Sequence, residues 1–322
     1  MRIKKSMAAV LSLALLMAAC GESDSESSET MTVVATTTIL GDIVANVVGD
    51  QADVVVLMPI GADPHDFQAS SAQVADINRA DLVVANGLLL EEGLEDVLAA
   101  AAGDGVRILE VGSLLDPIPF EGLGHADHEE EGEHADHEEH DGHMHEGGSD
   151  DPHIWLDPIR MAEAARFIAD ELAEVDPDGD WTNRGEAYAE ELTVLDEEIA
   201  AMLASVDNRQ LVTNHAALGY FADRYGFEVV GVVIPGGSTL GDPSSEELSS
   251  LVAVMEREGV SVIFGETTQP ATLAEAIAAE LGEDVSVVSL YTGSLDEPGT
   301  EASTLIGMLR TNAARIAAAL DS

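Results

Sequence analysis

The sequence predicts an α/β protein of two lobes, each a four-stranded, mainly parallel sheet flanked by helices, joined by one long spine helix. Short apolar runs rich in Val, Ile and Leu alternate with helix-compatible segments, and this pattern occurs twice along the chain. A long amphipathic segment with a helical period separates the two occurrences. Continuous apolar strands that alternate with helices are typical of parallel sheets covered on both faces. The roughly 290 residues that follow an N-terminal leader are sufficient for two domains.

Residues 1–19 are interpreted as a lipoprotein signal peptide. Basic residues precede an apolar run from Ala8 to Leu16, and small residues follow it as a cleavage site. Cys20 is the only cysteine, which excludes an intramolecular disulfide, and its position resembles the lipidated residue of a bacterial lipobox. Ordinary cleavage beside an incidental cysteine is the alternative. Lipidation implies an extracytoplasmic protein anchored to the cell membrane, and residues 20–31, rich in Ser, Glu and Asp, are expected to form a flexible tether.

The N-terminal lobe is predicted to span residues 32–178. Strands are expected in its four apolar runs, Thr32–Ile39, Ala52–Met58, Leu82–Ala85 and Val106–Val111.

Residues 121–151 of this lobe form an acidic segment without Lys or Arg. Seven of the ten histidines lie there: His125, His128, His134, His137, His140, His143 and His145. Glycines and dense like charge oppose a stable helix. We therefore expect a disordered loop that binds several cations weakly through imidazoles and carboxylates. A solvated insert without a role is the alternative.

Residues 179–206 are predicted to form the linking helix. Apolar side chains recur with a helical period from Trp181 to Val206, over about 26 residues or roughly 39 Å. Two shorter helices are the alternative. The C-terminal lobe then spans residues 207–322, with strands expected at Gln210–Thr213, Glu228–Ile234, Val260–Phe264 and Val285–Leu290.

The charge balance is strongly acidic, with 62 Asp and Glu against 13 Lys and Arg. Such a surface repels phosphate backbones, so a nucleic-acid partner is not expected. It would concentrate cations only within a Debye length of about 8–10 Å. Because an acidic proteome or habitat unrelated to the ligand explains the charge at least as well, the charge does not identify a metal.

The other three histidines each lie in a defined motif near a predicted strand end or loop end. Ligands of open α/β sheets bind beyond the carboxyl ends of the strands, and imidazole is a common zinc ligand. For His65 taken alone, a buried structural histidine is the alternative. Asp157 before Pro158 is explained as a helix N-cap and is not assigned to a metal. The motifs are Asp-Pro-His65-Asp-Phe, Asp-Pro-His153-Ile-Trp and Thr-Asn-His215-Ala-Ala.

With these motifs in this order and a His-rich loop between the first two, the chain resembles the metal-binding lipoproteins of bacterial ABC importers. It is most similar to the zinc-type group of cluster A-I substrate-binding proteins, from Thr32 to Leu320. The resemblance implies two lobes joined by one helix, with the metal between them and His65, His153 and His215 as ligands. Manganese-type members tend to have a carboxylate at the position of His215, so the resemblance favours zinc.

The fourth ligand departs from the family pattern. The family often supplies an Asp from the loop after the last strand, and the matching position here is Gly293. Asp296, Glu266, a water molecule or a loop histidine are the candidates. Glu266 fits a supporting role at a strand end equally well.

The resemblance implies a monomeric, high-affinity zinc-binding component of an ABC importer, with Zn²⁺ as transported ligand and a membrane permease and an ATPase as partners. A surface zinc reservoir or adhesin and manganese transport are alternatives. A secreted zinc hydrolase is a further alternative, because three histidines and a water form many catalytic zinc sites. It would need a general base beside the metal. The sequence contains no His-Glu-x-x-His, Gly-x-Ser-x-Gly or Gly-rich phosphate-loop motif, so no enzymatic activity is expected.

Overall fold

The strands form two four-stranded parallel sheets, which confirms the predicted fold class. The computed structural model of the protein describes residues 30–120, 150–282 and 285–321. The N-terminal sheet has the order β2-β1-β3-β4 and consists of β1 (Met31–Ala35), β2 (Ala52–Val56), β3 (Leu82–Ala85) and β4 (Ile108–Glu110). The C-terminal sheet has the order β6-β5-β7-β8 and consists of β5 (Gln210–Thr213), β6 (Glu228–Val232), β7 (Val262–Glu266) and β8 (Ser286–Leu290).

Helices cover both sheets and connect them. The N-terminal lobe contains α1 (Thr38–Val48), α2 (Ser71–Ile77) and α3 (Glu95–Gly103). Two long helices follow, α4 (Pro158–Val175) and α5 (Trp181–Leu203). The C-terminal lobe contains α6 (Gly219–Tyr225), α7 (Ser245–Glu258), α8 (Thr272–Leu281) and α9 (Leu305–Leu320). The predicted spine is therefore one helix, α5, and not two shorter ones.

The two sheets share one topology, and this topology places the site. In each sheet the second strand along the chain lies on one side of the first, and the third and fourth strands lie on its other side, so the strand order reverses at the first strand. Such a reversal opens a crevice beyond the carboxyl ends of the strands. The loops that follow the strands therefore form the binding edge of each lobe.

The strand boundaries differ from the prediction where a helix cap interrupts an apolar run. The predicted first strand extends to Ile39, but β1 ends at Ala35. Thr37 has an extended backbone, and its side chain accepts the N–H of Leu40, so α1 begins at Thr38. An N-cap of this kind satisfies one of the free backbone donors at the helix start. The last two residues of the predicted His-rich loop, 150 and 151, belong to the folded lobe. Asp150 pairs with Pro119, and Asp151 is buried.

One buried apolar cluster runs through both lobes. It includes Val33 and Ile43 from the N-terminal lobe, Leu195 from α5, and Phe264 and Leu309 from the C-terminal lobe. The terminal helix α9 packs against both α5 and α1. The lobes are thus joined by a common core as well as by a linker.

Among the described residues, no helix is both long and apolar enough to cross a bilayer.

Gly185 lets α5 lie directly against α4. A Cβ added at this position would be 2.6 Å from Ala169 Cβ and 3.0 Å from the carbonyl oxygen of Ala165. We expect Gly185→Ala to lower the free energy of unfolding. Overpacking costs about 1–3 kcal/mol, which should exceed the gain in helix propensity of about 1 kcal/mol. Thermal or urea unfolding of the metal-free protein measures this difference.

Gly103→Ala is the matched control for this prediction. Gly103 is also helical, but a Cβ there would have no atom within 4 Å. The control variant should keep or slightly increase the stability. Equal effects of the two substitutions would show that α4 and α5 do not require close contact.

Candidate metal centre

Three buried histidines meet where the binding edges of the two lobes face each other. His65 follows β2, His215 follows β5, and His153 lies just before the short 3₁₀ turn Ile154–Leu156 that leads into α4. Their exposed fractions are 3%, 1% and 3% for His65, His153 and His215. One ring nitrogen from each lies within 4.8 Å of the other two. The structure therefore brings together the three histidines that the sequence singles out.

The Nε2 atoms of the three rings point toward one another. His153 Nε2 lies 3.3 Å from His65 Nε2 and 3.0 Å from His215 Nε2. Two nitrogens bound tetrahedrally to one zinc ion at about 2.0–2.1 Å would be separated by about 3.3 Å. The spacing is thus close to that required by a shared ion.

A carboxylate faces the opposite nitrogen of each ring. Asp151 Oδ1 lies 2.7 Å from His153 Nδ1, and Glu266 Oε1 is hydrogen-bonded to His215 Nδ1. Glu92 Oε1 lies 3.6 Å from His65 Nδ1, at ion-pair distance and without a hydrogen bond. Zinc-ligating histidines commonly donate this N–H to a carboxylate, which fixes the ring and its tautomer.

These pairings leave two lone pairs facing each other. An ionised carboxylate only accepts hydrogen bonds, so Nδ1 of His153 and of His215 carries the proton. In the neutral rings, Nε2 then holds a lone pair. Two such atoms 3.0 Å apart repel each other unless a cation lies between them. A proton or a metal ion between these atoms therefore stabilises the centre.

The pKa shifts agree with this geometry. Burial and the neighbouring His153 lower the pKa of His65 to about 3, so this ring stays neutral. Burial also opposes a charge on His215, but Glu266 outweighs burial and raises the pKa of His215. Burial alone would raise the pKa of Glu266, whereas its pairing with His215 lowers it to about 2. The metal-free centre is therefore arranged to hold one positive charge next to Glu266.

Buried polar groups fix the segment that carries His153. The carboxylate of Glu91 accepts hydrogen bonds from Thr36 Oγ1 at 2.6 Å and from the N–H of Asn86 at 2.7 Å. The Asn86 side chain in turn donates to the carbonyl of Pro152 at 3.0 Å. Burial raises the pKa of Glu91, despite these donors. The loops after β1 and β3 thus hold His153 in place.

Contacts to the C-terminal lobe hold the same segment from the other side. Tyr220 Oη donates to the carbonyl of Asp151 at 2.6 Å, and Trp155 Nε1 donates to the carbonyl of Thr292 at 2.7 Å. The central histidine is therefore positioned by both lobes.

The two carboxylate candidates for a fourth ligand are engaged elsewhere. Glu266 Oε1 binds His215, and its Oε2 accepts the hydroxyl of Thr292 at 2.7 Å. Asp296 accepts the hydroxyl of Tyr291 at 2.9 Å and does not join the histidine cluster. Gly293 lies beside the site, because a Cβ there would be 3.0 Å from Pro64 Cδ. The described residues therefore bring three nitrogen donors together, and neither Glu266 nor Asp296 joins them as a free ligand.

Two groups of predicted site residues lie outside the described residues. These are the proposed lipidation site Cys20 and the seven loop histidines, His125, His128, His134, His137, His140, His143 and His145.

Sequence reasoning offered Glu266 as a supporting group but missed the other two carboxylates beside the rings, Asp151 and Glu92. Asp151 had a detectable signal in the sequence, because His65 and His153 each end a tripeptide Asp-Pro-His. In each copy the Asp side chain accepts the N–H of the histidine, at 3.0 Å from Asp63 and 2.9 Å from Asp151. The tripeptide thus forms the same local turn at both histidines. Glu92 had no comparable signal, since its proximity to His65 arises from tertiary packing.

Two α/β lobes with a buried three-imidazole site between them define a two-lobed binding protein for a metal ion. A family model matches residues 33–319, and the chain belongs to this family, the periplasmic zinc-uptake complex component A (ZnuA) family. The resemblance drawn from the histidine motifs is thereby confirmed. Membership places the chain among substrate-binding transport proteins, not among enzyme families.

Similar proteins are named for two different metals. The manganese-binding lipoprotein MntA of Halalkalibacterium halodurans is 28% identical over 310 residues, which cover 94% of each chain. The solved structure of the periplasmic zinc binding protein TroA from Treponema pallidum matches with a TM-score of 0.74 and 28% identity, over 90% of this chain and 99% of that chain. The zinc-binding protein AdcA of Streptococcus pyogenes serotype M3 is 29% identical over 274 residues. That match covers 83% of this chain but 51% of AdcA, so the chain spans about half the length of that relative.

Proposed function

We propose that the protein captures Zn²⁺ outside the cytoplasmic membrane and delivers it to the permease and ATPase of an ABC importer. His65, His153 and His215 bind the ion between the lobes. The observation that carries the proposal is the convergence of their three buried Nε2 atoms, each ring having a carboxylate on its other side. The ion is cargo, and no reaction is performed on it.

The donor set favours zinc over manganese. Imidazole suits Zn²⁺, whereas carboxylate and carbonyl oxygens suit Mn²⁺. The described donors are nitrogens, and Asp151 and Glu266 are occupied by the Nδ1 atoms of His153 and His215. The likeness to MntA makes manganese transport the second candidate. A water molecule or a histidine of the His-rich segment would complete a tetrahedral zinc site.

The N-terminal and His-rich segments have separate roles in this proposal. Lipidation of Cys20 anchors the protein to the membrane, and residues 20–31 keep the lobes within reach of the permease. The seven histidines of residues 121–151 bind further zinc ions weakly and exchange them, which raises the supply of zinc near the central site.

The proposal predicts one tight zinc equivalent above several weaker ones. Competitive calorimetric titration of the metal-free protein with Zn²⁺ and then with Mn²⁺ measures both classes of site. The double variant His65→Ala, His215→Ala should lose the tight equivalent. Deletion of residues 121–148 should remove only the weaker equivalents.

Three outcomes would contradict parts of the proposal. Tighter binding of manganese than of zinc would show that the transported ion is Mn²⁺ and not Zn²⁺. Loss of the tight equivalent in the deletion variant would make the His-rich segment a primary ligand. Tight zinc binding that does not depend on His65 and His215 would overturn the site.

A further inference from the structure

The loop that carries His65 belongs to the N-terminal lobe but is held by the C-terminal lobe. Gly61 donates its backbone N–H to Ser294 Oγ at 2.9 Å. Pro64 packs against Gly293 so closely that the glycine has no room for a larger side chain without movement. Residues on both sides of Asp63 are therefore in contact with the loop that follows β8.

Asp63 connects this loop to two further loops of the C-terminal lobe. Its Oδ2 accepts the hydroxyl of Thr239 at 2.5 Å and the side-chain amide N–H of Gln269. Thr239 lies in the loop after β6, and Gln269 lies in the loop after β7. The other oxygen, Oδ1, accepts the backbone N–H of His65 at 3.0 Å. One carboxylate thus joins a ligand histidine to the opposite lobe.

The two Asp-Pro-His turns differ in how they use their aspartate. In the second turn, Asp151 Oδ1 accepts both the N–H and the ring Nδ1–H of His153. In the first turn, Asp63 supports only the backbone of His65, whose Nδ1 has no hydrogen-bond partner among the described residues. The remaining oxygen of Asp63 faces the other lobe instead. The same local motif therefore serves the ring in one copy and the contact between lobes in the other.

We infer that Asp63 is a positioning residue whose contacts with Thr239 and Gln269 keep His65 on the bound ion and so set the rate of zinc release. When the loops of the two lobes separate, Asp63 loses both donors, and the His65 loop loses its support from the C-terminal lobe. Hydrogen bonds to an ionised carboxylate are stronger than neutral ones. Differences in affinity between related binding sites appear mainly in the dissociation rate. This inference rests on the proposed function.

The test removes the donors of the C-terminal lobe and leaves Asp63 and the three histidines in place. The intact protein and its Thr239→Val, Gln269→Met variant are loaded with half an equivalent of Zn²⁺, and release to excess chelator is followed by stopped flow. We expect the variant to release zinc at least about tenfold faster, which corresponds to about 1.4 kcal/mol. The absorption spectrum of the Co²⁺-loaded protein should not change, because the same nitrogens bind the ion.

Tyr188→Phe is the matched control. It removes another hydroxyl–carboxylate hydrogen bond, from Tyr188 Oη to Asp42 Oδ2 at 2.8 Å, which lies away from the histidines. This variant should lower the thermal stability and leave the release rate unchanged. If the double variant does not fold, the single Gln269→Met variant at a half-buried position carries the same test.

The outcomes separate the inference from the proposed function. Release at the wild-type rate from a variant with Gln269 replaced would overturn the role of Asp63 and leave the zinc site intact. A changed Co²⁺ spectrum would also overturn it, because the substitution would then act on the ligand geometry. A wild-type protein that does not bind the half-equivalent of Zn²⁺ before the chelator is added would overturn both.

Discussion

Replacement of His153 by alanine is expected to weaken zinc binding by more than about a hundredfold. Its Nε2 is the central donor, 3.3 Å from that of His65 and 3.0 Å from that of His215. Loss of a group that merely supports a zinc ligand typically costs about 10- to 100-fold in affinity, and loss of the ligand itself should cost more. The two remaining imidazoles cannot form a tight tetrahedral site. Competition with a chromophoric zinc chelator measures the affinity.

His140→Ala provides the control for this prediction. It also removes one imidazole, but from the His-rich segment. The tight site should keep its affinity in this variant, while the number of weak equivalents falls. Similar losses of tight binding in the two variants would mean that the ion is not centred on His153. Unfolding of the metal-free His153→Ala variant shows whether the protein still folds.

Zinc affinity is expected to fall steeply as the pH decreases, and His215 should take up a proton at a higher pH than His65. Glu266 raises the pKa of His215, whereas burial and His153 lower that of His65 to about 3. Zinc binding must therefore displace a proton from the His215–Glu266 pair. The apparent affinity should fall about tenfold per pH unit for each displaced proton. Titrations between pH 8 and pH 5 measure this slope.

The same two histidines affect the stability of the metal-free protein in opposite directions. A raised pKa in the folded state means that His215 contributes stability fully below its unfolded pKa of about 6.5 and loses it as the pH rises through the folded value. His65 contributes stability above about 6.5 and loses it as the pH falls toward 3. Zinc replaces the proton between the rings at high pH, so the stabilisation by zinc should increase with pH.

The variant Glu266→Gln tests the source of the displaced proton. Without the carboxylate charge, the pKa of His215 should fall, and zinc binding near pH 7 should release fewer protons. Calorimetry in buffers of different ionisation enthalpy counts these protons. An unchanged proton release would show that Glu266 does not control the protonation of the site. The affinity itself should fall by about 10- to 100-fold, because Glu266 orients His215.

The fold was predictable because its signals are local and periodic. Apolar runs of strand length mark the sheets, and the apolar period from Trp181 onward marks α5. Exact boundaries depend on single side chains, such as Thr37, whose hydroxyl caps α1 within the predicted strand Thr32–Ile39. Propensity along the chain does not show which of the three consecutive threonines, Thr36 to Thr38, will accept a helix N–H.

The three histidines were predictable because parallel sheets present their strand ends at one edge. The contacts that support them were less predictable, because some of them depend on how the two lobes face each other. Asp63 bonds to Thr239 and Gln269, which lie far from it in sequence. Asp296 was a candidate ligand from its position near Gly293, yet the hydroxyl of Tyr291 binds its carboxylate.

The apolar cluster shared by the lobes limits the motions by which an ion can enter and leave. A large rotation of one lobe would separate α9 from α1 and expose side chains such as Leu309 and Ile43, which are buried in the common core. Displacement of the loop that carries His65 would leave these helix contacts in place. Loop motions occur in nanoseconds to microseconds, whereas domain rotations take microseconds to milliseconds. Exchange of the ion is therefore expected to be gated by loops that move on a nearly rigid body.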